Sequence, residues 1–377
     1  MKGNITRRGK ASWRVKYDLG PDPVTGKRKI AYKTIRGTRA DAEKELRALL
    51  YRQDKGIAIE PSRATLSEYL DGWLADTAPR RTVAPKALER YRGLVKHQIR
   101  PHLGAVVLQK LRPADIDSWL HTLGNSSLSV RSIRHAHGVL RTALNHAVAV
   151  ELVERNVCAA IKPPAPERKE IETLTANQIS DALKRLEGHW IYPVAALALG
   201  TGARRGEIAA LRWADIDLDG ATVRIERSLE ETKEGLRVKA PKTAAGRRTV
   251  SLPAFTVAAL REHRRETLEL RLKLGAGPLP AEHAVFGCID GAMPAPYTIS
   301  NRWRHAVKAR KLPKVTFHAL RHSHASALIA AGLDVVSVSR RLGHANPALT
   351  LSVYSHLFTN KDTDAAAAMD AALESQF

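Results

Sequence analysis

The chain has 377 residues, 44% of them hydrophobic, which suits two or three domains with cores of their own. Its 61 Lys and Arg against 38 Asp and Glu leave a formal net charge of +23, the balance of a chain that faces a polyanion rather than one that merely solvates its surface. No run of about 18 apolar residues occurs, the basic start MKGNITRRGK lacks the apolar stretch of a secretory signal, and Cys158 and Cys288 have no partners at metal-ligand spacing. These features predict a cytoplasmic chain with no membrane span, disulfide framework, metal or cofactor.

Residues 1–60 read as a small α+β unit. Residues 12–19 (SWRVKYDL) alternate in character and predict a strand. GPDPVTG at 20–26 is a turn, residues 27–35 predict a second strand, and Thr38 caps a helix to about residue 55. The span holds 16 basic against 7 acidic residues, a net of +9. A basic hairpin of this kind can enter a DNA major groove, with Arg14, Lys16, Arg28 and Lys33 as candidate contacts.

Residues 64–162 read as almost wholly helical. Leu66, Tyr69, Leu70, Trp73 and Leu74 recur at helical spacing behind Thr65, and further apolar periods run through 91–99, 114–123 and 129–150. Pro101, Gly104 and Pro113 are expected to punctuate them. Arg131, Arg134, His135, His137 and Arg141 lie on one predicted helix and are expected on its polar, phosphate-facing side. The charged, Pro-rich KPPAPERK at 162–169 predicts a stiff linker over 163–172. A third segment, 173–377, starts behind the cap Thr175.

Four motifs lie in that third segment. In TGARRGE (201–207), Gly200 and Gly202 break an apolar helix, and a new helix opens near Arg204, where its dipole attracts anions. In PKTAAGRRTV (241–250), Lys242 sits on a predicted turn between strand-like 222–227 and 250–252, close to Arg247 and Arg248. In FHALRHSHAS (317–326), Thr316 caps a helix that Gly332 ends, and His318 and Arg321 share one face. His322 and His324 are expected off that cluster. In LGHANP (342–347), Gly343 ends a helix, His344 stands at the mouth of a loop, and Tyr354 follows ten positions later.

Two Arg, one Lys, two His and one Tyr match what attack on a phosphodiester requires. Guanidiniums clamp the negative charge that builds on the nonbridging oxygens. A Lys can protonate the leaving sugar oxygen, and a phenol of ordinary pKa about 10 needs nearby cations or a His acceptor to act as nucleophile. Neither a carboxylate cluster for two-metal chemistry nor a GKS/T phosphate loop is evident. Glu207 reads as an orienting acid.

The ordered series Arg204, Lys242, His318-x-x-Arg321, Gly343-His344, Tyr354 resembles the tyrosine recombinase (phage integrase) family. The resemblance implies a multidomain tyrosine recombinase fold. Its parts would be a small α+β arm-binding domain (1–60), an all-α core-binding domain (64–162) and a mainly α catalytic domain with a small antiparallel sheet (173–377). It further implies Arg204 and Arg321 as phosphate clamps, Lys242 as general acid, His318 as acid or base partner, His344 as a hydrogen-bond partner of the phosphate, and Tyr354 as the residue that forms a 3′-phosphotyrosine. Double-stranded DNA attachment sites, a homotetramer, and an excisionase or host DNA-bending protein are the implied partners. The tail 362–377, with Met369, Leu373 and Phe377, is expected to dock on a neighbouring protomer or fold back on its own domain. A type IB topoisomerase would share the chemistry, and the two segments ahead of the catalytic one favour the integrase. A noncatalytic DNA-binding protein would lack the nucleophile or a clamp.

Overall fold

The computed structural model describes residues 3–21, 25–54, 61–77, 83–166, 172–241, 244–357, 366–367, 369–371 and 373. Two units divide the chain, Met1–Arg168 and Lys169–Phe377.

The first unit begins with strands β1 (Asn4–Gly9), β2 (Ser12–Pro21) and β3 (Arg28–Arg36), an antiparallel sheet in the order β1-β2-β3. The sequence predicts β2 and β3. It misses β1 because NITRRG offers one apolar residue and no alternation to read. The two-residue period of a strand sorts the side chains. Val15, Tyr17 and Ala31 turn inward onto helix α1 (Arg39–Asp54), against Ala42, Leu46 and Leu49. Thr38 starts α1 as predicted: its Oγ1 accepts from the Asp41 amide, and the Asp41 carboxylate accepts from the Thr38 amide.

Helices α2 (Leu66–Thr77), α3 (Pro85–Leu94), α4 (Arg100–Leu103), α5 (Pro113–Gly124) and α6 (Val130–Ala149) follow, around a core of their own that includes Leu70, Ile99, Ile116, Leu140 and Leu144. Pro101 does not interrupt the chain's helical course. A π turn over Val95–Ile99 widens the backbone ahead of the ring, and the Arg100 amide donates to the Val95 carbonyl five residues back. Pro101 then occupies the first turn of α4, where its missing donor costs nothing. His137 departs from the expected polar face. It falls in the stripe Ile133, Ala136, His137, Leu140, Leu144 at three- and four-residue spacing, and is buried.

In the second unit Thr175 forms a capping box with Gln178 and opens α7 (Ala176–Leu186). Helix α8 (Tyr192–Thr201) is apolar all round and buried, packed against α10 and α12, which are defined below. After α9 (Arg205–Ala209), strands β4 (Ile216–Asp217), β5 (Thr222–Ile225) and β8 (Arg248–Ser251) form an antiparallel sheet in the order β4-β5-β8. Between β5 and β8 stands a hairpin of β6 (Ser228–Thr232) and β7 (Gly235–Lys239), which the sequence reading does not predict. Half of its segment SLEETKEGLRVK is charged and only three residues are apolar, so no alternating apolar face marks it.

Helices α10 (Ala254–Lys273), α11 (Pro296–Ala309), α12 (Phe317–Ala330), α13 (Val335–Leu342) and α14 (Pro347–Tyr354) complete the unit. The main core joins α7 to α12 with the sheet, and a small separate core of Ala325, Ile329, Val338, Leu342 and Tyr354 ties α12, α13 and α14 together. Of the tail, residues 366–367, 369–371 and 373 are helical, with Met369 and Leu373 exposed. The rest of the expected docking segment lies outside the described residues. Among the described residues, no helix is long and apolar enough to cross a membrane.

Leu140 is fully buried in the helical core, so Leu140→Ala should destabilise that core by about 2–5 kcal/mol. Hydrogen exchange will show faster opening of α6 amides while α8 amides, which belong to another core, keep wild-type protection.

Candidate active site

The site is assembled where three chain reversals meet. The first follows α8. Gly202 takes φ 65°, and a Cβ there would lie 2.7 Å from both His324 and Leu342 side-chain atoms, so only glycine fits. The turn delivers Arg204 to the N-cap of α9. Glu207 answers in the first turn: its carboxylate accepts from the Arg204 amide at 2.9 Å and from Nη1 at 2.8 Å.

Glu207 also accepts from Arg248 Nη2 at 3.0 Å, and the carboxylate is almost wholly buried between the two guanidiniums. Burial alone would raise its pKa. Arg248 and Arg204 outweigh that and hold it below its ordinary value. Arg248 donates as well to the carbonyls of Arg341 and Gly246.

The second reversal ends α13. Gly343 takes φ 68° and closes the helix, with the His344 amide donating to the Ser339 carbonyl. Arg204 Nη2 reaches the Gly343 carbonyl at 3.4 Å. Arg321, buried on α12, donates to the Gly202 carbonyl at 2.6 Å and the Leu342 carbonyl at 2.8 Å, and so fastens the two reversals together. His344 stands in the loop that follows, its Nδ1 2.8 Å from Thr350 Oγ1.

The third reversal is the start of α14, where Asn346 caps and Pro347 takes the first position. Tyr354 ends this helix, 3% exposed, with its hydroxyl 2.6 Å from His322 Nδ1. This corrects the expectation for His322. On a helix, positions three and four apart share a face, so a reading that places Arg321 beside His318 should also place His322 there. The His318 and His322 rings meet edge to face at 4.8 Å. His324 does lie apart: its Nδ1 bonds the Leu199 carbonyl, and Nε2 accepts from Arg341.

Burial leads the shifts of Arg321, His318, His322, His344 and Tyr354, and the neighbouring cations add to it at all but Tyr354. Burial, then Arg204, pushes the Arg321 guanidinium down to about 9, so it stays charged at neutral pH. Burial lowers His318, with Arg321, Arg204 and Arg205 adding to it. His322 and His344 are each pushed down to about 4, first by burial and then by neighbouring charges, His318 and Arg321 for the former and Arg321 and Arg204 for the latter. Tyr354 is pushed up to about 12 by burial, against the opposing pull of Arg321. The expected lowering of the phenol by nearby Arg is thus present but outweighed. Such a pocket offers guanidinium donors and neutral imidazoles to an anion, beside a buried phenol.

Lys242 lies outside the described residues. Arg248 was noticed in the sequence only as a neighbour of Lys242. The strand period does mark it, since Val250 is buried and Arg248 shares its side of β8.

The expected DNA contacts of the first unit divide. Arg14 and Lys16 lie on the sheet face away from α1, Arg14 stacking over Tyr32 at 3.9 Å from the ring centre. Arg28 pairs with Asp18 at 2.9 Å. Lys33 is on the other face, opposite Val15, and bonds Glu45 of α1 at 2.6 Å. Arg131, Arg134 and Arg141 are exposed along α6, Arg134 donating to the Pro164 carbonyl.

A family model described as "Phage integrase family" matches residues 171–361, and one described as "Phage integrase, N-terminal SAM-like domain" matches residues 65–124. The chain is 30% identical to an integrase of Streptomyces ambofaciens over 91% of this chain and 88% of that one. It is 28% identical to a "Tyrosine recombinase XerC-like" of Caldanaerobacter subterraneus subsp. tengcongensis over 97% of each. Its fold matches the Tn1549 transposon integrase in complex with circular intermediate DNA, with a TM-score of 0.65 at 21% identity over 80% of this chain and 99% of that one. It also matches a lambda integrase tetramer bound to a Holliday junction, with a TM-score of 0.58 at 20% identity over 95% and 97%.

Burial, nearly complete at His324 and partial at His322 and His344, pushes all three down to about 4 in the folded chain against 6.5 ordinarily. The unfolded chain takes up protons below pH 6.5 that the folded site refuses until about 4, so stability should fall as the pH drops through that window. Urea unfolding at stepped pH measures the slope, and a flat profile there would contradict the description of the pocket.

Proposed function

The chain belongs to the phage integrase family and is a site-specific tyrosine recombinase; we propose that Tyr354 is the nucleophile with which it cleaves and rejoins DNA. The observation that carries this is convergence. Arg204, His318, Arg321, His344 and Tyr354, drawn from four separate segments of the catalytic unit, share one electrostatic cluster.

In this reading the scissile phosphate enters the cluster as the missing anion. Arg321 has given one hydrogen from each terminal nitrogen to a backbone carbonyl and keeps three N–H groups for phosphate. Arg204 is oriented by Glu207 and supplies the second clamp. His344 hydrogen-bonds a nonbridging oxygen and His318 serves as acid or base partner. The Tyr354 oxygen bonds phosphorus as the bond to the 5′-oxygen breaks, and Lys242 gives that oxygen its proton. The product is a 3′-phosphotyrosine, and attack by a 5′-hydroxyl reverses the sequence to rejoin strands. Positive charge concentrated at the phosphate is the main source of rate.

Residues 1–60 would serve as the arm-type DNA-binding domain, residues 64–162 as the core-binding domain and residues 173–377 as the catalytic domain. The partners are double-stranded attachment sites, three further copies of the chain in a tetramer, and an excisionase or host DNA-bending protein, all in a bacterial cytoplasm on the chromosome. The solved relatives bound to circular-intermediate DNA and to a Holliday junction support this assembly.

A nicked suicide duplex carrying the core site should trap wild-type protein covalently, whereas Tyr354→Phe traps none. Equal trapping by the two would overturn the assignment. Arg204→Ala and Arg321→Ala should each slow trapping by about 10²–10³-fold. Affinity for the duplex should fall steeply as salt rises, as phosphate contacts demand.

A further inference from the structure

We propose that His322 is a further catalytic residue: the base that takes the Tyr354 hydroxyl proton as that oxygen attacks phosphorus, and that returns it when the strand is rejoined. The proposal rests on Tyr354 being the nucleophile.

Geometry comes first. The Tyr354 hydroxyl lies 2.6 Å from His322 Nδ1, with the ring centres 5.7 Å apart. This is proton-transfer distance for a general base. His318 is one turn earlier on the same helix, and its ring touches that of His322 rather than the phenol. Tyr354 is anchored in the small core of α12, α13 and α14, and His322 is carried by α12, so both partners of the bond are fixed by helices that pack on one another.

Charge comes second. The groups facing His322 are His318 and Arg321 on its own helix, His344 in the loop after α13, and Tyr354 on α14. In the free site this surrounding keeps the imidazole neutral, and the proposed role uses the tautomer that carries its hydrogen on Nε2 and leaves Nδ1 to accept from the phenol. Bringing a phosphodiester into the clamp adds negative charge to that surrounding. The imidazole therefore becomes a better base when substrate arrives, and the imidazolium that forms is stabilised by the charge building on the phosphoryl oxygens.

A free phenolate is the costlier route in this pocket, because burial lifts Tyr354 to about 12. Transfer in step with attack avoids it. The proton moves from the Tyr354 oxygen to His322 Nδ1, the oxygen–phosphorus bond forms, the bond to the 5′-oxygen breaks, and that oxygen takes a proton from Lys242. Rejoining runs each transfer backwards and leaves both residues as they began.

The test uses the full chain and suicide duplexes of two kinds, one ordinary and one with sulfur bridging at the scissile 5′ position, a leaving group that departs without a proton. His322→Ala should slow covalent trapping by about 10²-fold on both, whereas Lys242→Ala should be slow on the ordinary duplex and recover on the sulfur one. His322→Asn can keep the hydrogen bond without taking the proton, and should fold and bind DNA normally yet stay slow. Replacing Tyr354 by a ring-fluorinated, more acidic tyrosine should restore most of the rate lost in His322→Asn while changing the wild type little. Wild-type rates for His322→Asn, recovery of His322→Ala on the sulfur duplex, or no rescue by the fluorinated tyrosine would overturn the proposal. Trapping by Tyr354→Phe would instead overturn the assignment of the nucleophile beneath it.

Discussion

The buried carboxylate of Glu207 is the contact on which the rest of the site depends. Two guanidiniums, Arg204 and Arg248, approach it from different segments, and without it they would be like charges with no counter-ion between them. Through Arg204 it sets the proposed clamp. Through Arg248 it reaches β8, the Arg341 carbonyl in the last turn of α13, and the Gly246 carbonyl. One acid thus orders two cations from two parts of the chain and is itself too fully engaged to act as a base.

The proposed nucleophile is held differently. Tyr354 does not belong to the main core that carries α8 and the sheet, but to a small cluster with Ala325, Ile329, Val338 and Leu342. The proposed clamp is therefore built on the large core and the proposed nucleophile on a lesser one, with α12 common to both. His318 and Arg321 lie on one turn of that helix, and His322 continues it. A single helix aligns phosphate binding with the phenol.

Much of this was legible in the sequence because the signals are local. Gly202, Thr316 and Gly343 mark two of the reversals and a cap, and the structure uses each as read. What was not legible depends on distant partners or weak patterns. Arg248 looks like one more cation in a basic turn until Glu207 is seen opposite it. His137 shares a helix with arginines, and only its place in the apolar stripe tells it from them. The β6–β7 hairpin has too few apolar residues to show a period. His322 is a different case, since the helical spacing that linked His318 to Arg321 implied it too.

Arg321 is bound in the free protein by two backbone carbonyls, those of Gly202 and Leu342, and not by a carboxylate. Acceptors of that kind are present whatever side chain the position bears. Random substitution can distort them through a glycine turn, but cannot delete them as it could an Asp or Glu. The arrangement leaves no carboxylate hydrogen-bonded to the Arg321 guanidinium, so in the proposed reaction its remaining N–H groups are there for the phosphate.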